Sequence, residues 1–189
     1  MEEIIYKSCT SEEELSSILI LQNENHYSSL AKEDMASEGF LTCTHSLELL
    51  RDLNNVAPHV IAVSNNRVCA YLLTMTDIAE VSMPFLKPMF QEFRKLTYKE
   101  TPIAKYNYLI VGQVCVGKDF RGHGVLNDCY QLYTSLYRNK YDFAITEIAT
   151  RNKRSLNAHL RLGFKEIHRY ISPDGEEWSI VILDWNSKN

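Results

Sequence analysis

The sequence of 189 residues predicts one mixed α+β domain, with a central, partly parallel sheet of about seven strands flanked by helices. In the second half of the chain, two apolar runs of strand length are each followed by a helical pattern. Such βα steps place strands parallel in a sheet, whereas the hairpin patterns on either side predict antiparallel strands. No internal repeat or linker interrupts the chain, so residues 1–189 are expected to form a single domain.

The first third of the chain predicts one strand and two helices. IIYKSC is expected to be a short strand, and SEEELSSILILQ a helix opened by Thr10 or Ser11, with acids in its first turn. THSLELLRDL predicts a second helix, with Thr44 as N-cap and Glu48 completing the capping arrangement. The polar stretch between them, residues 23–40, is expected to hold a loop and a short helix.

After the second predicted helix, the spacing of apolar residues changes from a helical period to that of strands. HVIAVSNNRVCAYLLTMT predicts a hairpin that turns at Asn65-Asn66, because asparagine tolerates positive φ. MPFLKPMFQEFRKL has helical spacing broken at Pro84 and Pro88, and YNYLIVGQVCV is an apolar strand.

The remaining elements alternate between helix and strand. GHGVLNDCYQLYTSLYRNK predicts an amphipathic helix, YDFAITEIAT a strand, and NKRSLNAHLRLGF a helix that ends at Gly163. KEIHRYIS and EEWSIVILDW predict two strands joined by a turn over residues 172–175.

Composition limits the classes of function. The formal net charge of −4 argues against nonspecific nucleic-acid binding, which needs a basic face. The five cysteines show no metal or disulfide spacing, which indicates reduced thiols and no metal site. The acidic N-terminus has no signal-peptide pattern and no apolar stretch is long enough to span a membrane, so we expect a cytoplasmic protein with no membrane partner.

The stretch DFRGHGVL, residues 119–126, carries the strongest functional signal. Two glycines let backbone N–H groups approach a ligand closely, and the helix that follows aims unpaired N–H groups and a partial positive charge at the same place. This combination favours an anion, above all a phosphate. The spacing fits neither the dinucleotide-binding fingerprint nor the P-loop.

The run from the strand VCV through FRGHGV, the next helix, the strand ITEIA and SLNAH to RLGF resembles the GNAT superfamily of acyl-CoA-dependent N-acyltransferases. Residues 108–185 match its second half in order and spacing, and residues 4–76 match its first half more loosely. The resemblance implies acetyl-CoA as co-substrate, with no metal. It also implies transfer of an acetyl group directly to a primary amine.

The resemblance implies a set of cofactor-binding residues. The family's Arg/Gln-x-x-Gly-x-Gly/Ala turn holds the pyrophosphate of coenzyme A and maps to Arg121, Gly124 and Leu126, where leucine replaces the usual small residue. Backbone N–H groups of the strand Val114–Val116 are implied as donors to the thioester carbonyl, and Asn152 as a contact of the pantetheine arm. Asn152 can equally be a helix N-cap, and Arg154 can meet the 3′-phosphate or lie in a solvated surface. The predicted cofactor-binding residues are Val114, Val116, Arg121, Gly122, His123, Gly124, Val125, Leu126, Asn152 and Arg154.

Two residues are candidates for proton transfer. His159 stands where the family usually has a tyrosine that donates a proton to the departing thiolate; the alternative is a buried, hydrogen-bonded histidine. Glu147, a carboxylate inside a predicted strand, is the candidate base, because burial raises a carboxyl pKa towards neutrality. The alternative for Glu147 is a structural pair with an arginine or histidine.

The acceptor site is predicted from three residues. Gln113 in the central strand can orient substrate or water, and Tyr27 and Tyr108 can line the pocket of a cationic amine. The expected acceptor is a small-molecule amine or a peptide. A noncatalytic acyl-CoA-binding or regulatory module on the same fold is the alternative function, and an acyltransferase acting on protein lysines or N-termini is a third. The apolar strand EEWSIVILDW is compatible with a homodimer seam or with packing inside one chain.

Overall fold

The computed structural model describes residues 3–26, 41 and 43–186. Most of the predicted loop and short helix over residues 23–40, and with it the predicted substrate residue Tyr27, lies outside these ranges. The predicted mixed α+β fold is confirmed, with a seven-stranded sheet in the order β1-β2-β3-β6-β7-β9-β8. Its members are β1 (Ile5–Ser8), β2 (Val60–Ser64), β3 (Arg67–Met75), β6 (Tyr108–Val116), β7 (Phe143–Ala149), β8 (Lys165–Ile171) and β9 (Glu177–Asp184).

Two compact units make up the chain, and strand β6 contributes to both. The first contains residues up to Met75 together with Val111–Leu136, and the second contains Thr76–Ile110 and the residues from Tyr137 onward. They are called the first and second unit below.

The first unit has antiparallel strands on one side and helices around them. β1 pairs with β2, and β2 with β3 through a two-residue turn at Asn65 and Asn66, whose φ angles of 49° and 60° confirm the predicted hairpin. Helices α1 (Glu12–Glu24) and α2 (Leu47–Val56) precede the hairpin, and helix α5 (Val125–Tyr137) follows β6.

Buried apolar side chains join α1 to the sheet of the first unit. Ile18 and Leu50 from the helices and Ile61, Tyr71 and Leu73 from the strands share one cluster, and all five are almost fully buried. Full burial of such a side chain contributes about 1.5–3 kcal/mol, so this cluster fixes α1 on the sheet.

The second unit contains a parallel pair of strands. Tyr108, Leu109 and Ile110 of β6 pair in parallel with Phe143, Ala144 and Ile145 of β7. β9 pairs antiparallel with both β7 and β8, so β8 runs in the direction of β7 without neighbouring it. Because Ile180, Val181 and Ile182 of β9 are fully buried, packing within the chain accounts for its apolar sequence.

Helices α3 (Ala79–Ser82), α4 (Lys87–Lys95) and α6 (Lys153–Arg161) belong to the second unit. A 3-10 turn over Pro84–Leu86 separates α3 from α4, and Pro88 falls in the first turn of α4, where its missing N–H costs nothing. The sequence missed the short hairpin of β4 (Thr97–Tyr98) and β5 (Thr101–Pro102), which turns at Lys99 and Glu100 with positive φ and lacks the usual turn residues.

Helix capping agrees with the sequence at α1 and differs at α2. Ser11 caps α1 and Glu14 completes a capping box. The prediction of Thr44 as the cap of α2 was wrong, because the helix begins two residues later and the Ser46 side chain accepts from the N–H of Leu49.

Candidate functional site

The glycine turn joins β6 to α5 in the first unit. After Val116 come Gly117, a 3-10 turn over Lys118–Phe120, and the segment Arg121–Gly124. Gly122 and Gly124 have φ of +81° and +82°, a region that strongly favours glycine, and no atom of the described residues lies within 4 Å of the place where either would carry a Cβ. Among the described residues, the turn therefore has free space beside both glycines, as an anion cradle requires.

The Arg121 side chain braces this turn. Its Nε donates to the carbonyl of Val116 at 2.9 Å, and its Nη2 donates to Oδ1 of Asn25 at 2.6 Å. Asn25, at the end of α1, donates in turn to the carbonyl of Leu21. Arg121 thus links the turn to the end of β6 and to α1, and its positive charge lies beside the turn.

The other residues predicted around the turn differ in burial. Val125 is buried, Val114, Val116 and Leu126 are half-buried, and His123 is exposed. Partial burial of Leu126 agrees with a role in which its side chain packs and only its backbone N–H faces a ligand.

Cys115, between Val114 and Val116, is a packing residue. It is 5% exposed, and burial raises the pKa of its thiol to about 12. A thiol with that pKa carries almost no thiolate near neutral pH, so the side chain is no nucleophile there.

A cavity of about 450 Å³ lies next to the turn in the first unit. It is lined by residues of α1, of the β2–β3 hairpin and of the segment 117–121. Both signs of charge line it, including Glu24, Asp119, Arg67 and Lys118.

Gln113 is the centre of a buried hydrogen-bond network. Its Oε1 accepts from Nε2 of Gln22 and from the hydroxyl of Tyr71, both at 2.7 Å. Its Nε2 donates to the carbonyl of Cys43 at 2.9 Å. With the residue 8% exposed and both ends of its amide engaged, Gln113 holds the segment around Cys43 against β6.

His45 lies at the end of this network. Gln22 Oε1 accepts from the backbone N–H of His45, so Gln22 Nε2 is the donor that lies 2.8 Å from His45 Nδ1. The His45 proton is therefore on Nε2, a buried atom that has no hydrogen-bond partner in the described part of the chain. Burial lowers the pKa of His45 to about 4, so the ring is neutral near pH 7.

Glu147, in the second unit, is paired with a tyrosine. The hydroxyl of Tyr170 on β8 donates to Glu147 Oε2 at 2.6 Å. Burial raises the pKa of Glu147 to about 7, against the lowering effect of the Tyr170 hydrogen bond. Its partner is thus neither the arginine nor the histidine that the sequence offered as the structural alternative.

His159 is buried on α6. It is 2% exposed, its Nδ1 lies 2.8 Å from the carbonyl of Ser155, and its ring packs edge-on against Phe164. Burial lowers its pKa to about 4, so the ring is neutral with its proton on Nδ1, where the carbonyl accepts it. A ring in this state has no proton to donate from Nε2, which favours the packing role over proton donation.

Asn152 and Arg154 lie at the start of α6. Asn152 is the N-cap, and its Oδ1 accepts from the N–H of Ser155 at 3.3 Å. Arg154 is exposed in the first turn. The capping role of Asn152 is therefore present, and its contact with a cofactor stays a prediction.

Tyr108 is a packed aromatic residue of the second unit. Its ring stacks on Phe143 with an interplanar angle of 4° and meets Phe93 edge-on. Burial raises the pKa of its hydroxyl, so the phenol stays protonated.

The first unit thus brings together Arg121, the glycine turn, Gln113 and Val114–Val116, and the second brings together Glu147 and Tyr170. Sequence reasoning missed Gln22, His45, Tyr71 and Tyr170. A polar residue on the apolar face of α1, as Gln22 is, was an available signal; the other three needed the tertiary contacts.

The described residues contain no cluster of acidic, histidine or cysteine side chains that could hold a metal ion, and none of the helices among them has the length and apolarity to cross a membrane.

No protein-family model matches the chain, and no curated protein matches it in sequence. Solved structures do match over almost the whole length. A chain of the NatC complex bound to Gag peptide and CoA is 19% identical, with a TM-score of 0.65, over 96% of this chain and 98% of that one. The ribosomal-protein-S18-alanine N-acetyltransferase from Escherichia coli is 14% identical, with a TM-score of 0.57, over 99% and 97%.

NAA60 from Arabidopsis thaliana, in complex with acetyl-CoA, is 8% identical, with a TM-score of 0.65, over 96% of this chain and 99% of that one. One of these structures is named as an N-acetyltransferase and the other two are named as bound to CoA or acetyl-CoA, and this chain has their fold. The GNAT fold expected from the sequence is confirmed.

Proposed function

We propose that this protein is an N-acetyltransferase that transfers the acetyl group of acetyl-CoA directly to a primary amine. The observation that carries the proposal is the turn at Gly122 and Gly124, which opens at the start of α5 with room in front of both glycines. Diphosphate is an anion that such a turn binds well, because N–H groups and the helix dipole point at one place. The GNAT fold around the turn supports acetyl-CoA as the source of that diphosphate.

The residues of the turn have distinct tasks in the proposal. Backbone N–H groups of residues 122–126 would hold the diphosphate, and Arg121 would keep the turn in place while adding positive charge. Backbone N–H groups of Val114 and Val116 would donate to the thioester carbonyl, and Asn152 and Arg154 would contact the pantetheine arm and the 3′-phosphate. Bound acetyl-CoA supplies the activated acetyl group.

Acetyl transfer needs a base for the attacking amine. The amine nitrogen forms a bond to the carbonyl carbon, the carbon–sulfur bond breaks, and the amine loses one proton. Glu147 is the proposed base, because a carboxyl with a pKa of about 7 accepts a proton at neutral pH and still releases it afterwards. The leaving thiol of coenzyme A has an ordinary thiol pKa of about 8.5, so its sulfur can leave as a thiolate and take a proton from water.

The acceptor is proposed as a primary amine, with a small molecule as the first candidate. A peptide N-terminus is the second candidate, because two of the structures with this fold are named for a bound peptide or for an alanine of a ribosomal protein. A cytoplasmic location stays a prediction.

Titration calorimetry with acetyl-CoA tests the turn. Replacing Gly124 by valine forces a β-branched residue into φ near +82° and fills the space ahead of the helix. We expect affinity to fall at least about tenfold, since one lost charge-assisted hydrogen bond is worth about 1.5–3 kcal/mol. Gly175, in the β8–β9 turn, has φ of +87° and equal space, so Gly175→Val matches the backbone strain. Unchanged affinity in Gly124→Val, or an equal loss in both variants, would contradict the phosphate cradle.

A noncatalytic acyl-CoA-binding module is the second candidate function. The state of His159 favours it, because the residue at the family's usual acid position holds its proton against a backbone carbonyl. Assays of coenzyme A thiol release with a broad panel of amines and peptides separate the two. Binding of acetyl-CoA without thiol release across the panel would favour the module.

A further inference from the structure

The Glu147–Tyr170 pair crosses the width of one strand. Glu147 on β7 is paired with Ile180 of β9, and Tyr170 on β8 is paired with Trp178 of β9. The phenol therefore reaches over β9 to place its hydroxyl 2.6 Å from Glu147 Oε2. A contact between strands that are not neighbours is made only if the long tyrosine side chain lies along the face of the sheet.

The two carboxylate oxygens of Glu147 differ in their hydrogen bonding. Oε2 accepts the Tyr170 hydrogen bond, whereas Oε1 makes no hydrogen bond in the described part of the chain. Burial and the neighbouring Glu147 charge raise the pKa of Tyr170 far above its usual range, so the phenol keeps its proton and is always the donor. One oxygen of Glu147 is thus fixed and the other is left to accept a proton.

We propose that Tyr170 is the positioning residue of Glu147, holding Oε2 so that Oε1 is presented as the base. This inference rests on the proposed function, in which Glu147 takes the proton of the amine. Tyr170 itself touches no reacting atom in this scheme and acts through Glu147.

The groups around Glu147 shift its pKa in opposite directions. Glu92 of α4 and Asp174 of the β8–β9 turn both raise its pKa by repulsion, and His168 of β8 lies in the same row across the sheet, opposite Ile180. The Tyr170 hydrogen bond lowers the pKa, because it stabilises the carboxylate. Removing the hydroxyl therefore raises the pKa of Glu147 above about 7.

Carbon-13 NMR of labelled glutamate and aspartate side chains measures this pKa in the unliganded protein, with Glu147→Gln identifying the Glu147 resonance and Asp184→Asn that of Asp184. In Tyr170→Phe we expect the midpoint of Glu147 to rise by about one pH unit, the size expected for one hydrogen bond to a charged group. Tyr98→Phe is the matched control, because the hydroxyl of Tyr98 donates to Asp184 Oδ2 at 2.8 Å in the same unit. That variant should raise the midpoint of Asp184 and leave Glu147 unchanged.

Two results would overturn the proposal. One is a Glu147 midpoint that is the same in Tyr170→Phe and in the wild-type protein. The other is a rise of the Glu147 midpoint in Tyr98→Phe as large as that in Tyr170→Phe. Both variants lose a single oxygen, and thermal unfolding followed by circular dichroism establishes that each is folded. Because NMR titration needs no turnover, its outcome stands even if the protein transfers no acetyl group.

The kinetic measurement separates the inference from the proposed function. If acetyl transfer to an amine of the panel is detected, the limb of the pH profile on which kcat/KM rises with pH should shift to higher pH in Tyr170→Phe. The shift should equal that of the NMR midpoint. At pH 7 the ionised fraction, and with it the rate, should fall about fivefold. A limb that stays in place while the NMR midpoint moves would show that Glu147 is not the base and would overturn the positioning role.

Discussion

At the scale of single residues, the buried amides of the first unit explain why a polar residue stands in the middle of an apolar strand. The Gln113 amide accepts from Gln22 and Tyr71 and donates to the carbonyl of Cys43 at the same time. A buried polar group that loses its partner keeps the cost of its desolvation. The network therefore has a primarily structural role: it holds the segment that carries His45 in place.

Replacing Gln113 by leucine tests this role. The variant leaves the Tyr71 hydroxyl, one Gln22 N–H and the Cys43 carbonyl without partners, so we expect the free energy of unfolding to fall by about 2–5 kcal/mol. Urea denaturation measures it. Gln131→Leu, at an exposed glutamine of α5, is the matched control and should change stability by less than about 0.5 kcal/mol. Similar small changes in both variants would mean that the network contributes little.

At the scale of elements, the start of α6 combines two tasks in Asn152. Its side chain caps the helix, and the resemblance to GNAT enzymes implies that it also contacts the pantetheine arm. Helix starts suit such double use, because the cap residue already lies at the end where ligands meet unpaired N–H groups.

Two substitutions at Asn152 separate these tasks. Aspartate caps a helix about as well as asparagine, whereas alanine costs about 1 kcal/mol. We expect Asn152→Asp to keep wild-type stability and to weaken acetyl-CoA binding, because it removes the amide N–H donors and adds a negative charge. Denaturation and calorimetry measure the two effects. Wild-type affinity in Asn152→Asp would limit Asn152 to capping.

At the scale of the whole molecule, buried ionisable groups determine how stability depends on pH. Burial lowers the pKa of His45, His59 and His159 to about 4, from the ordinary value of 6.5. Between these values the unfolded chain binds more protons than the folded one, so folding becomes less favourable as the pH falls. Glu147 acts in the opposite direction, because its raised pKa lets the folded state bind the extra proton between pH 4.5 and about 7.

The three buried histidines make stability rise with pH, and the single raised carboxyl opposes them. We therefore expect the free energy of unfolding to rise between about pH 4.5 and 6.5. Urea denaturation at intervals of half a pH unit measures it. In Glu147→Gln the rise should be steeper, because the opposing proton is lost, while Tyr170 can still donate to the amide oxygen. A profile that is flat over this range would mean that the buried histidines become protonated without unfolding.

The sequence predicted the local structure where turn and cap residues are typical, and it failed where they are ambiguous or unusual. The Asn65-Asn66 hairpin and the cap at Ser11 were accurate because their causes are local: positive φ at asparagine and a hydroxyl facing an unpaired N–H. The cap of α2 was misplaced by two residues, because Thr44 and Ser46 both precede the apolar pattern and serine is the more favoured cap of the two. The hairpin at Lys99 was missed because neither of its turn residues is typical of positive φ.

The sequence by itself determined the order of the seven strands of the main sheet and of the longer helices, the glycine turn after the central strand and the carboxylate inside a strand at Glu147. Hydrophobic period, turn chemistry and the cost of burying a charge are properties of short segments. Only the tertiary structure decided that β9 lies between β7 and β8, that Arg121 is bound to Asn25, and that Glu147 is held by Tyr170. The pairing of β7 with β9 and the Arg121–Asn25 and Glu147–Tyr170 contacts join residues more than 20 positions apart, and no local pattern encodes which distant side chain satisfies a buried polar group.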